Sequence, residues 1–296
     1  MAWTVVRSAL GLAVAALGLF AAGPALAQSQ AQSQAQSQAQ SQGRLDARYS
    51  VTLGGVPIGK GAWVIDISDS QYTAAASGAT TGLLRVLSTG QGSGASRGYI
   101  VGGNPVPASF AASITTDKKT EEIRMTLGSG DVKEFMIVPE VQPDTERIPV
   151  TEAHRRGVSD PMTGSLMRVS GTGNPVSPQA CQRTNQIFDG RMRYNLQFAY
   201  KRMEQVKADK GYEGPVVVCS VYFVPLAGYV PSRAAVKYLT SQRDMEVWLA
   251  PVGATRVLVP FRVSIPTPIG VGVMQATQFI TMTPPHATAV AGPRTQ

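Results

Sequence analysis

Arg193-Tyr194-Asn195-Leu196-Gln197-Phe198-Ala199-Tyr200-Lys201 alternates more cleanly than any other stretch of the chain. Tyr194, Leu196, Phe198 and Tyr200 share one parity; Arg193, Asn195, Gln197 and Lys201 carry most of the other. Period two is the signature of a strand with one face covered and one face wet. Farther along, Val216–Val224 is apolar at both parities, which predicts a central strand covered on both faces. Arg44–Leu53, Gly61–Ser68, Glu122–Leu127, Val132–Val138, Ala235–Leu239, Met245–Leu249, Thr255–Val263 and Val273–Met282 read as further strands. Tyr99–Ile114 reads as two extended pieces broken by Gly102-Gly103.

Helix is scarce. Thr80–Leu87 sets Leu83, Leu84 and Leu87 on one side, and Asp160-Pro161 looks like an N-cap followed by Pro at the first helical position. That predicts a short helix to about Val169, with Leu166 and Val169 facing inward. With 30 Gly and 20 Pro and no strand–helix alternation, the expected class is all-β or nearly so. The expected form is a single curled antiparallel sheet, a β-roll, β-spiral or open barrel, with one or two short helices.

Four segments are expected. Met1–Ala27 reads as a secretory signal: Arg7, then apolar Ala9–Ala22, then Ala25-Leu26-Ala27 as the cleavage pattern. Residues 28–43 are an Ala/Gln/Ser repeat too polar to bury a core, 44–283 the β domain, and 284–296 a loose tail. No cysteine follows the cleavage site to be lipidated, and no later apolar run is long enough to span a membrane. A periplasmic monomer is expected. The net charge of +8 is spread along the chain without an aromatic-interleaved basic stripe, which argues against nucleic acid.

The chemical motifs are weak. Gly54–Gly61 nearly matches a phosphate-binding loop, but Gly61 stands where Ser or Thr must follow Lys60, and a strand comes next instead of a helix. No nucleotide or other cofactor is expected. Gly94-Ala95-Ser96-Arg97-Gly98 fits the G-x-S-x-G of a nucleophile elbow. His154 and His286 lie downstream, and Asp117, Asp131, Asp144 or Asp160 would be the third member. The chain beyond Gly98 is extended and Pro-rich, so a serine hydrolase using Ser96 stays a remote alternative. The two histidines lack metal-ligand spacing, and no metal site or catalytic set is expected.

Cys181 and Cys219 are the only cysteines. In an exported chain two cysteines favour a disulfide, with two separate buried thiols as the alternative. Cys219 shares a strand face with Val217, Val221 and Phe223, and Cys181 precedes a strand expected near Phe188.

Several stretches together carry a family resemblance. They are Tyr49-Ser-Val-Thr-Leu-Gly-Gly-Val-Pro-Ile-Gly59, Ser159-Asp-Pro-Met-Thr163, Cys181-Gln-Arg-Thr184, Phe188-Asp-Gly-Arg191 with Tyr194, and Gly211-Tyr-Glu-Gly-Pro215 with Val218-Cys219. In order and spacing the chain resembles the exported proteobacterial domain of unknown function 3108 over roughly Tyr49–Thr283. The resemblance implies a curled β-roll and a role in the cell envelope, similar in outline to periplasmic lipoprotein carriers and to another β-spiral envelope-integrity family. It carries over no catalytic residue and supports Cys181 and Cys219 as a structural pair.

The function expected is therefore non-enzymatic binding of a lipid-like apolar ligand, or of an envelope protein, on a curled sheet. Trp63, Phe110, Phe198, Tyr222 and Trp248 are the candidate apolar lining. The alternative is a structural protein contacting peptidoglycan or outer-membrane proteins.

Overall fold

The computed structural model describes residues 42–81, 90–117 and 119–282. The signal segment, most of the repeat linker, the tail with His286, and most of the helix expected over Thr80–Leu87 lie outside the described residues.

Two meanders share one sheet. The first runs through β1 (Gly43–Leu53), β2 (Val56–Ile67), β3 (Gln71–Thr80), β4 (Gly90–Val101), β5 (Asn104–Thr116), β6 (Lys119–Gly128) and β7 (Asp131–Val138). A long connection holding the two-residue β8 (Met167–Arg168) leads to β9 (Arg183–Phe188), β10 (Arg193–Lys207), β11 (Lys210–Gly211) and β12 (Glu213–Ala227). Helix α1 (Ala234–Ser241), β13 (Glu246–Pro251), β14 (Val257–Thr267) and β15 (Gly270–Met282) complete the chain. The sheet order is β7-β6-β5-β4-β3-β2-β1-β15-β14-β13-β12-β10-β9, with β11 on β15 and β8 on β14. The long ladders are antiparallel, and the seam is β1 against β15, with Arg44 opposite Met282 and Leu53 opposite Gly272.

The sheet is open. Its two edges, β7 and β9, meet through side chains and one crossing segment rather than through a ladder. Val158 N–H donates to Gly130 O, Ser159 N–H donates to Gln186 O, and Phe188 N–H donates back to Ser159 O. Phe135 of β7 and Phe188 of β9 pack edge to face, 5.7 Å between ring centroids.

Curling turns one face inward. Leu45, Ala47 and Tyr49 of β1, with Trp63, Ile65 and Tyr72, pack against Val216, Val218, Trp248, Val259, Phe261 and Phe279. Burying one such aliphatic side chain stabilises the fold by about 1.5–3 kcal/mol. A second cluster lies on the opposite face of β12–β14. There Val217, Cys219, Val247, Leu249 and Leu258 are covered by Met167, Val169, Val176 and Ala180 of the connection. Val216–Ser220 is therefore buried at both parities, as its sequence predicts. Cys181 and Cys219 are bonded within that second cluster.

Three local expectations change. Ala235–Leu239 lies in α1 rather than in a strand, because its apolar positions also fit i, i+3 through Val236 and Leu239. The helix expected from Asp160 is a 3-10 turn over Thr163–Ser165 followed at once by β8. Asp160 does bond the following backbone amides, but the chain then leaves to pair with β14. Cys181 precedes a strand that ends, rather than begins, at Phe188. The strand expected after the Gly54–Gly61 match is present: a tight turn at Gly54-Gly55 runs into β2.

Candidate functional site

Across the first meander, register aligns Leu45, Ile65, Ala74, Ser96, Phe110, Met125 and Phe135 in one row. Ser96 is the polar member of this inward row and is buried. The connection brings it partners. Asp160, fully buried, accepts from the Met162 and Thr163 amides at 2.9 Å each through Oδ1. Its Oδ2 accepts from Ser96 Oγ at 3.1 Å and from Thr163 Oγ1 at 2.5 Å. Tyr72 OH lies 2.6 Å from Thr163 Oγ1 and donates to it, since the threonine proton goes to Asp160. Burial is the largest influence on the Asp160 carboxyl and raises its pKa above the usual range, against the pull of these donors. Burial also pushes the Tyr72 hydroxyl up to about 12.

Of the four aspartates the G-x-S-x-G reading allows, Asp160 is the one that reaches Ser96. The rest of the elbow geometry is absent from the described residues. Ser96 sits inside a regular strand, not on a strand-to-helix turn. His154 is held elsewhere, its Nδ1 accepting from the Thr151 amide at 3.1 Å. The glycines of the motif serve packing: a Cβ on Gly98 would lie 2.1 Å from Val106 O and 2.8 Å from the Tyr72 ring. On Gly94 a Cβ would lie 3.4 Å from Met162 Cε. Gly94, Ser96 and Gly98 are thus the inward positions of β4: Ser96 meets Asp160 and Thr163 of the segment inside the curl, and Gly98 leaves room for Val106 and Tyr72.

The interior is consequently occupied by the chain itself, and the open cavities lie elsewhere. A groove of about 400 Å³ crosses the second meander on the face away from the main core. Tyr194, Leu196 and Phe198 of β10 form one wall; Val221 and Phe223 of β12 continue it, with Tyr194 and Phe223 rings 5.3 Å apart. Val247, Val263 and Met167 extend the floor, and Leu239 of α1 closes one side. The carboxyls at its margin are engaged: Glu246 pairs with Arg202 at 2.9 Å and with Lys201, and Asp189 Oδ1 takes the Arg191 and Met192 amides at 2.8 and 2.7 Å. Burial raises the pKa of Asp189 and of the Tyr194 hydroxyl, and the Asp189 charge adds to the latter.

A larger hollow of about 680 Å³ lies on the open face of the first meander. Its floor is Ala75, Ala95 and Ala111, paired across neighbouring strands, with Arg97, Arg124 and Glu134 around it. The rings of Phe110 and Phe135 belong to the third apolar cluster, with Phe188.

The five lining candidates are not brought together. Trp63 and Trp248 are in the main core, and Phe110 is in the third cluster and also borders the larger hollow. Tyr222 is half-buried with the Arg243 guanidinium 5.9 Å from its ring centre. Phe198 alone lines the apolar groove. Its companions Tyr194 and Leu196 share its parity in sequence, and that parity is the available signal. Among the described residues no helix is long and apolar enough to cross a membrane, and no three His, Cys, Asp or Glu side chains gather as a metal set.

Residues 48–277 match the family model described as a protein of unknown function, DUF3108. The chain belongs to the DUF3108 family. No curated protein matches the sequence. Among solved structures, this DUF3108 chain is similar to a β-barrel-like protein of domain of unknown function DUF1849 from Brucella abortus. The identity is 10% and the TM-score 0.42, covering 82% of this chain and 98% of that one.

Proposed function

We propose that this DUF3108 protein is an exported, non-enzymatic envelope protein that binds a small apolar ligand in the groove between β10, β12–β14 and α1. The observation that carries the reading is the convergence of Tyr194, Phe198 and Phe223 with aliphatic side chains of five elements on one open groove. Its volume of about 400 Å³ falls in the range of small-ligand sites, roughly 300–1,000 Å³. The disulfide and the signal-like Met1–Ala27 support a periplasmic location. The burial of Ser96 inside the regular strand β4, with its hydroxyl donated to Asp160, supports binding over hydrolysis.

Native mass spectrometry of protein purified from its host tests the reading. The expected result is a bound apolar molecule on the wild-type protein that is lost from Leu196→Asp. Ligand-free wild-type protein that also fails to take up a fluorescent fatty acid contradicts it.

A second reading, contact with an envelope protein, is favoured by one feature. The β1–β2 and β14–β15 tips are joined by Gly54 N–H donating to Val271 O, and they expose Val56, Val271 and Ile269, the last 78% accessible. A photocrosslinker at Ile269 is expected to capture a defined envelope protein in cells; crosslinks to none remove this reading.

A further inference from the structure

A second, smaller cavity of about 270 Å³ adjoins the apolar groove, and Met192 lines both. Helix α1 also serves both, with Val236 facing the small cavity and Leu239, three residues on, facing the groove. Three arginines, Arg147, Arg191 and Arg233, line the small cavity together with one carboxylate residue, Glu121.

Gly228 touches two of these residues, the backbone of Arg191 and the side chain of Arg147. Gly228, at φ +82°, packs so closely on the β9–β10 turn that a Cβ would lie 1.9 Å from Arg191 O. The carbonyl of the same Gly228 accepts from Arg147 Nη1 at 2.7 Å. Arg147 has no carboxylate partner among the described residues. Arg191 is paired with Glu121 at 3.0 Å, and Arg233 stands 3.8 Å from Asp144. The Nε atoms of Arg147 and Arg191 are both buried and without an acceptor. Buried donors are rarely left so, and an oxyanion is the natural acceptor for guanidinium forks.

An apolar groove with an arginine-bearing cavity on the other side of Met192 matches one kind of molecule. We infer that the ligand of the groove is an anionic amphiphile: an alkyl or acyl chain lies along Leu196, Phe198 and Phe223, and its phosphate head sits on Arg147, Arg191 and Arg233. The inference rests on the groove being the ligand site.

Competition titrations against a bound fluorescent fatty acid test it, using decyl phosphate, decanol and inorganic phosphate on the mature full-length protein. Decyl phosphate is expected to bind about tenfold or more tightly than decanol, and inorganic phosphate not to compete. Arg147→Gln and Arg233→Gln are each expected to weaken decyl phosphate about tenfold and leave decanol unchanged. Arg233 is an exposed side chain, so its variant keeps the test decisive if Arg147→Gln fails to fold. Equal binding of decyl phosphate and decanol, or no effect of Arg233→Gln, overturns the anionic head while leaving the groove reading in place. Failure of both decyl compounds to compete overturns the groove reading as well. Competition by inorganic phosphate as strong as by decyl phosphate overturns the amphiphile in favour of a free-anion site.

Discussion

Ser96 Oγ donates to Asp160 Oδ2 at 3.1 Å, joining β4 to the connection 64 residues later. That bond, with Tyr72 on Thr163, holds the segment Asp160–Leu166 inside the curled sheet. It makes Ser96 of the G-x-S-x-G stretch an anchor for the fold. Removing the carboxylate leaves two hydroxyls and two amides short of an acceptor. Asp160→Ala is expected to destabilise by about 3 kcal/mol and Tyr72→Phe by about 1 kcal/mol, read from urea midpoints. An Asp160→Ala protein as stable as wild type contradicts the anchoring role.

The same carboxyl gives a pH dependence with a defined sign. Burial raises the Asp160 pKa above 3.8, so the folded state holds its proton more tightly than the unfolded state. Its stabilising contribution is full below about pH 3.8 and is lost as pH rises through the folded pKa. The stability advantage of wild type over Asp160→Asn should therefore shrink as pH rises above about 3.8. Glu204 and Glu246, whose pKa values are lowered, act in the opposite direction but cancel in this difference. An advantage that grows with pH contradicts the assignment.

The two glycines of the Ser96 motif should respond differently to alanine. At Gly98 the added methyl meets Val106 O and the Tyr72 ring, so Gly98→Ala is expected to cost about 2–3 kcal/mol. At Gly94 the nearest atoms stand at 3.4 Å, in ordinary contact, and the cost is expected to stay below about 1 kcal/mol. Thermal melts of the two variants give the comparison. Equal losses contradict the packing account.

Thiol titration of the denatured protein is expected to find none without reductant and two with it. The bridge spans a separation of 38 residues. On the chain-entropy model that corresponds to about 4 kcal/mol, so Cys181→Ser and Cys219→Ser should each destabilise by about that amount. Markedly unequal losses contradict a shared bond.

Much of the sheet is legible in residue order. Tyr194, Leu196 and Phe198 alternate as they must on β10, and Val216–Ser220 is apolar because both faces of β12 are covered. The inward segment is not legible, because an Asx turn at Asp160 and a helix N-cap use the same side-chain-to-amide bond. Only the tertiary pairing of Met167-Arg168 with β14 decides between them. Gly94, Ser96 and Gly98 are readable as period two, yet their smallness has meaning only beside Met162 and Tyr72. Large aromatics alone do not mark the groove, since Trp63 and Trp248 fill the main core equally well. The three arginines come from the connection, the β9–β10 turn and the start of α1, so no local pattern could unite them.

The groove itself can be tested by methyl-detected NMR during titration with decanol. Shifts are predicted at Leu196, Val221, Leu239 and Val263, with Ala75, Ala95 and Ala111 of the larger hollow unmoved. Shifts confined to those alanines, or no shifts at saturating decanol, would contradict the proposed ligand site.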